Sequence, residues 1–260
     1  MKCKICASHA DYFSSAEIMG KHTVEYFRCF ECGFIFTEEP YWLEEAYSSA
    51  ITGSDVGLVR RNYHLSKIAR VLIATFFDSK GRFLDFAGGY GLFVRIMRDN
   101  GQDFRWFDRS CANLFAGGFA ADLKDGRRYD LVTAFEVFEH LVDPIAGLDE
   151  ILRCTGSILC TTDLLPEPAP KPDKWWYYGL EHGQHVSFYT RKSLEVLAEK
   201  KRLNFYTNGA TVHLLTEKKI SAPLFFLLAR RKTAHLIAPL LINKSLLEDD
   251  YLTVTGREFR

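Results

Sequence analysis

Three groups of residues in this chain have the types and spacing to do chemistry. Cys3 and Cys6 are separated as Cys29 and Cys32 are. A Cys-x-x-Cys turn aims two thiolates at one point, so two such turns close a tetrahedral shell around a single ion. The spacing predicts a structural zinc site on these four cysteines, in a ribbon over residues 1–40 that could not bury enough apolar surface without a metal. A redox role for either pair is the second reading, and His9 and His22 are expected at the surface. Far along the chain, Glu181, His182 and His185 cluster ahead of a helix start at Thr190. Imidazole takes up protons near neutral pH and a carboxylate can orient it, which makes these three the catalytic candidates. The plain alternative is that one histidine bonds the loop and the other packs; a metal pair at His182 and His185 lacks further ligands.

The third group is Asp85, Ala87, Gly88, Gly89 and Gly91. Phe83, Leu84 and Phe86 read as a buried strand that the glycines stop, and Leu92, Phe93, Ile96 and Met97 recur at helical spacing until Asn100-Gly101 ends the helix. Strand, glycine turn and helix form the first half of a nucleotide-binding unit. A second apolar run, Phe104 to Phe107, ends in Asp108, about 20 residues past the glycines, where an acid can accept from ribose hydroxyls. Leu114 to Ala121 is placed as a third strand, followed by Asp122. Tyr129 to Phe135 is a clearer strand, with Glu136 and His140 at its carboxyl edge. Asp143-Pro144 opens another helix and Ser157 to Thr162 forms the next strand. Strands alternating with helices argue for an α/β fold with a parallel sheet.

Read from Asp85, the pattern Asp-x-Ala-x-Gly-x-Gly resembles the Asp-x-Gly-x-Gly-x-Gly loop of class I S-adenosylmethionine-dependent methyltransferases, with Ala87 in place of the first glycine. The block FEVFEHLVDP resembles the segment after the fourth strand of the same superfamily. WWYY followed by GQHVSFYT resembles small-molecule methyltransferases that include sugar C-methyltransferases, several of which carry an amino-terminal zinc module. The resemblance implies a Rossmann-like, seven-stranded domain over residues 81–260 whose last two strands, Phe205 to Leu215 and Tyr251 to Phe259, pair as an antiparallel hairpin. It implies S-adenosylmethionine as cofactor, held by Asp85, Ala87, Gly88, Gly89, Gly91 and Asp108, with Asp122 beside adenine. Phe135 and Glu136 fall on the cofactor side, and His140 in a structural or substrate-side role. The acceptor it implies is a small molecule, a nucleotide-linked sugar or another glycan-pathway intermediate. The large further domain of the sugar enzymes is not found in this sequence.

The remaining segments must position these groups. Residues 41–80 read as an aromatic linker, bounded by serines and a glycine, and a covering helix from Leu58 to Phe77, from which Tyr47 or Tyr63 could reach the site. The proline-rich stretch from Leu164 is expected as a surface loop that carries Trp175, Trp176, Tyr177 and Tyr178 over the strand ends as a lid. Residues 221–247 form an apolar insertion suited to packing, a homodimer contact or an interfacial membrane contact. The 260 residues are 47% hydrophobic and 25% charged with no net charge, so no basic field advertises nucleic acid, and no run of about eighteen apolar residues offers a membrane span. The start MKCKICASHA lacks a signal core, so a cytoplasmic enzyme is expected. Two rival functions are a ribosomal RNA methyltransferase and a zinc-dependent scaffold whose methyltransferase fold is inactive.

Overall fold

The computed structural model describes residues 1–48 and 55–259. The serine and glycine boundary expected in the linker falls in large part on residues 49–54, outside the described residues. The chain begins with three antiparallel strands, β1 (Ala10–Ile18), β2 (His22–Cys29) and β3 (Ile35–Thr37), then a short helix α1 (Leu43–Ala46) and the long helix α2 (Leu58–Phe76). Alternating strands and helices follow: β4 (Arg82–Phe86), α3 (Leu92–Asp99), β5 (Asp103–Phe107), β6 (Leu131–Phe135), α4 (Pro144–Leu152) and β7 (Ser157–Thr161). After a long connection come β8 (Ser187–Phe188), α5 (Arg191–Lys200), β9 (Asn204–Thr207) and β10 (Val212–Thr216). Three helices close the chain, α6 (Ala222–Leu228), α7 (Arg231–Ile237) and α8 (Leu247–Thr255).

The main sheet has six strands in the order β5-β4-β6-β7-β10-β9, parallel except for β10, which runs antiparallel to both neighbours. Its inner strands are buried on both faces because helices cover each side. Leu148 and Ile151 of α4 with Leu194 and Leu197 of α5 pack on one face. Ile68, Leu72, Phe93, Met97 and Phe225 of α2, α3 and α6 pack on the other. This parallel α/β arrangement is the expected fold class.

Seven strands were expected and six are present among the described residues. Phe205 to Leu215 is not one strand, because Asn208 Oδ1 accepts from the backbone N–H groups of Ala210, Thr211 and Val212 at 2.9, 2.9 and 3.1 Å and folds the segment into the β9–β10 hairpin. That hairpin fills the sheet edge where a carboxyl-terminal strand would have paired. Tyr251 to Thr255 is helical instead, and Asp250 of α8 is held by Arg98 through bonds of 2.9 and 2.6 Å, both side chains buried. Residues 221–247 therefore follow the hairpin and do not interrupt it. The strand expected at Leu114 to Ala121 shrinks to one bridge between Ala120 and Trp106, since Leu114 and Phe115 point largely to solvent and Gly118 has φ +82°. No helix among the described residues is long and apolar enough to cross a membrane.

A second sheet joins the amino-terminal ribbon to the far half of the chain. Its order is β1-β2-β3-β8, with Ile35 opposite Phe188 and Phe36 opposite Ser187. Thr190 Oγ1 donates to Cys32 O at 2.6 Å and Trp42 Nε1 to Gly183 O at 2.8 Å. The ribbon is thus packed onto the segment that bears His182 and His185. The segment before it is not the free lid that its prolines suggested. Tyr178 lies in a core with Tyr26 and Phe188, Tyr177 is buried, and of the four aromatics only Trp176, 75% exposed, faces outward.

Candidate active site

One cavity of about 600 Å³ opens at the carboxyl ends of β4, β5 and β6, within the size range of small-molecule clefts and at the edge where open parallel sheets bind ligands. Its two ends differ in chemistry. At one end the chain turns from β4 into α3 through Ala87, Gly88, Gly89 and Gly91, of which Ala87 (φ +55°), Gly89 (+54°) and Gly91 (+83°) are left-handed. Gly88 must lack a side chain for another reason: a β-carbon there would meet Asp85 Oδ2 at 2.7 Å and Trp106 at 3.0 Å. Trp106 Nε1 donates to Gly89 O at 2.8 Å, fixing the loop from β5.

Two acids frame this loop. Asp85 is buried, accepts from Thr133 Oγ1 at 2.6 Å, and has its pKa raised to about 7, first by burial and also by the charge of Asp108, with the Thr133 bond opposing. Asp108 accepts from the N–H of Gly89 (2.9 Å), Ser110 (2.7 Å) and Cys111 (2.8 Å). Three of its four lone pairs are thereby committed, and one remains for a ligand hydroxyl. The cavity's cations are already paired, Arg61 with Asp55 and Arg109 with Glu150. Asp85, Asp108, Glu136 and Glu181 are left as an excess of carboxyls on its wall. A cavity with a bare glycine loop and excess negative charge fits a cofactor that carries a sulfonium, an ammonium and a ribose.

Phe135 and Glu136 end β6 on this wall. Glu136 is left-handed (φ +53°); its N–H donates to Thr161 Oγ1 at 2.9 Å, and that hydroxyl donates back to Glu136 Oε1 at 2.6 Å. Asp122 departs from expectation: it accepts from Lys124 N at 2.9 Å within a turn and does not line the cavity. Tyr63 also stays outside, half exposed, with Lys67 above its ring and His235 against it.

The other end is lined by Tyr47, His140, Trp176, Tyr177, Glu181, His182 and His185. His185 Nδ1 lies 2.6 Å from Tyr177 O, and His140 Nδ1 lies 3.1 Å from Gln184 O and 2.9 Å from the Tyr47 hydroxyl. A carbonyl only accepts, so both Nδ1 atoms carry protons and both lone pairs sit on Nε2. His182 has the opposite tautomer, since its Nδ1 accepts from Gln184 N–H at 3.1 Å. Burial lowers the pKa of all three, His140 to about 4, and His185 well below the imidazole range with help from His140. Glu181 makes no hydrogen bond to these rings and acts on His182 through its charge.

Sequence reasoning passed over Glu139. It is fully buried, its pKa is pushed well up by burial and by Glu136, and among the described residues neither carboxyl oxygen has a hydrogen-bond partner of normal geometry. The Thr162 and Tyr177 hydroxyls, 3.0 Å apart, lower that pKa from nearby without bonding normally to it. The available signal was an acid between Phe138 and His140 in an otherwise apolar run.

In the amino-terminal ribbon, the sulfurs of Cys3, Cys6, Cys29 and Cys32 lie within 4.8 Å of one another, with Cys3 to Cys32 at 3.6 Å and Cys6 to Cys29 at 3.4 Å. These separations are too long for disulfides and close to the roughly 3.8 Å that four sulfurs take at tetrahedral zinc bond lengths. Left-handed Ala7 and Gly33 close the two turns, and Gly33 N–H bonds Cys29 O at 2.9 Å. The donor set fits one zinc ion. His9 and His22 point elsewhere, to Asp11 and Glu45. Cys154 and Cys160 are buried core thiols.

Comparison with known proteins bears on the cavity. Residues 60–206 match the family described as a methyltransferase domain, more than half of the chain. No curated protein matches. Among solved structures, the chain is similar to TnmH (18% identity, 68% of this chain and 61% of that one, TM-score 0.47). It is also similar to an O-methyltransferase family 2 protein from Planctomyces limnophilus in complex with apigenin (14%, 67% and 66%, 0.45). A third is the plantazolicin methyltransferase BpumL in complex with SAH (15%, 69% and 92%, 0.48). The chain spans less than two thirds of the first two. The family match runs from α2 through β9 and takes in the glycine loop, the end of β6 and the histidine segment, so the chain belongs to the methyltransferase-domain family.

Proposed function

We propose that this protein transfers a methyl group from S-adenosylmethionine to a small-molecule acceptor, a sugar or other glycan-pathway intermediate, and that Cys3, Cys6, Cys29 and Cys32 hold a structural zinc ion. The observation that carries the reading is the cavity with two chemical ends, a bare glycine loop with Asp85 and Asp108 at one and an aromatic, imidazole-lined wall at the other. S-adenosylmethionine, when bound, supplies an electrophilic methyl group. Gly88, Gly89 and Gly91 would let the backbone approach it, Asp108 would accept from its ribose and Asp85 would balance its positive charge.

The chain's own part in the reaction is to orient the acceptor, exclude water and activate the attacking atom. Trp176 offers an aromatic face to a sugar ring. His185 is the group whose Nε2 lone pair activates the acceptor; His182, whose Nδ1 already accepts a backbone N–H, offers a donor and holds the acceptor in place. Labelled S-adenosylmethionine incubated with a panel of sugar nucleotides tests the assignment. His185→Asn should keep cofactor affinity, measured by calorimetry, and lose about a hundredfold or more in turnover. Wild-type turnover in a His185→Asn variant that binds cofactor normally would remove His185 from this role.

A further inference from the structure

Glu139 has no task in the arrangement above. It is absent from the cavity wall, fully buried behind it, and among the described residues neither carboxyl oxygen makes a hydrogen bond of normal geometry, the Tyr177 and Thr162 hydroxyls acting on it from nearby. Burying a carboxyl without partners is unfavourable enough that such groups are normally bonded, paired or bound to a metal. His140 and His185 stand beside it, their rings 4.9 Å apart and nearly perpendicular at 86°. The ligand atoms of the three residues lie within 4.8 Å of one another.

The imidazoles are held as metal ligands are held. Each has its Nδ1 proton on a backbone carbonyl, Gln184 O for His140 and Tyr177 O for His185, which fixes the tautomer and leaves Nε2 to donate a lone pair. A proton on Glu139 can be given to one Nε2 but leaves the other imidazole's lone pair without a partner. A divalent cation satisfies all three residues together.

We infer that Glu139, His140 and His185 form a second metal site, distinct from the cysteine cluster, that takes a divalent transition-metal ion such as Zn²⁺ on two imidazoles and one carboxylate. Three protein ligands of this kind leave a coordination position open. Because His140 and His185 line the cavity, that position suits a hydroxyl oxygen of the acceptor. The inference deepens the proposed function and rests on its placing of His185 at the acceptor: the imidazole acts through the ion and does not take the proton itself.

The test is a Co²⁺ titration of the full-length protein as purified, read by visible absorption. The expected result is one equivalent of cobalt with ligand-field bands and no sulfur-to-cobalt charge transfer, which would mark the cysteines instead. Glu139→Gln and His185→Asn should weaken this binding by about a hundredfold or more, at or beyond the upper end of what loss of an outer-shell partner does, whereas His182→Asn should retain it. Cofactor affinity and melting temperature report whether each variant folds. X-ray absorption at the cobalt edge of the wild-type protein gives an answer independent of the variants, with a nitrogen and oxygen shell expected. A sulfur-only shell, no cobalt uptake, or uptake unchanged in both variants overturns the site. If His185→Asn loses turnover while the wild type takes up no cobalt, the proposed function stands and the metal site falls; if cobalt binds as expected but His185→Asn turns over normally, the metal site stands and its part in activating the acceptor falls.

Discussion

The cysteine cluster and the histidine end of the cavity are both convergent donor sets, built in opposite ways. Each cysteine pair is placed by a single tight turn, so its geometry is set within four residues. The histidine end is assembled from Tyr47, Glu139-His140 and the segment from Tyr177 to His185, which meet only through tertiary contacts. The two regions are also joined. β8, immediately after His185, is the outer strand of the cysteine ribbon's sheet, and Thr190 bonds the carbonyl of Cys32. A locally specified site is thus packed against one that the local sequence could not specify.

Breaking the cysteine cluster is the harshest test of that joint. Cys29→Ser with Cys32→Ser, or chelation of the proposed zinc ion, should destabilise the ribbon by about 5 kcal/mol or more. Hydrogen exchange should then show lost protection at β8 as well as at β2 and β3. Protection surviving at Ser187 and Phe188 would mean that the two regions are independent.

The cofactor end should respond to pH through a buried carboxyl, where the ribbon responds through its thiolates. Asp85 has a pKa raised to about 7 from 3.8. Its contribution to stability is fully present below about pH 4 and is lost as pH rises through about 7, a span of about 4 kcal/mol at most. Asp85→Asn should flatten the melting temperature over that window. In the wild type, a cationic cofactor should lower the Asp85 pKa and release a proton near pH 6 to 7, visible as a buffer-dependent heat of binding; heats equal in all buffers would place the positive charge away from Asp85.

Smaller changes probe the joint and the loop separately. Trp42→Phe removes the 2.8 Å bond to Gly183 O and should cost about 1 kcal/mol, with an acceptor KM that rises while cofactor affinity holds. Ala87→Gly relieves a left-handed alanine at φ +55°. Set against the entropy of glycine, the net gain should be about 0.5 kcal/mol in thermal unfolding. A loss would show that the alanine methyl has packing value in the loop.

What the sequence by itself determined was local. The Cys-x-x-Cys turns, the strand, glycine loop and helix from Phe83 to Met97, and the Asp143 cap that accepts from Ile145 and Ala146 all depend on residues close in the chain, where spacing and backbone conformation suffice. Tertiary structure decided the rest. Tyr251 to Thr255 has β-forming residues yet is helical, because Asp250 docks on Arg98 and the β9–β10 hairpin fills the sheet edge. Tyr177 and Tyr178 looked like a lid and became core, because β8 draws their segment onto the ribbon. Glu139 is one acid among many in the sequence. It becomes chemically conspicuous only when folding buries it beside two imidazoles whose Nδ1 protons are already taken by carbonyls, that of Gln184 brought to His140 from 44 residues away.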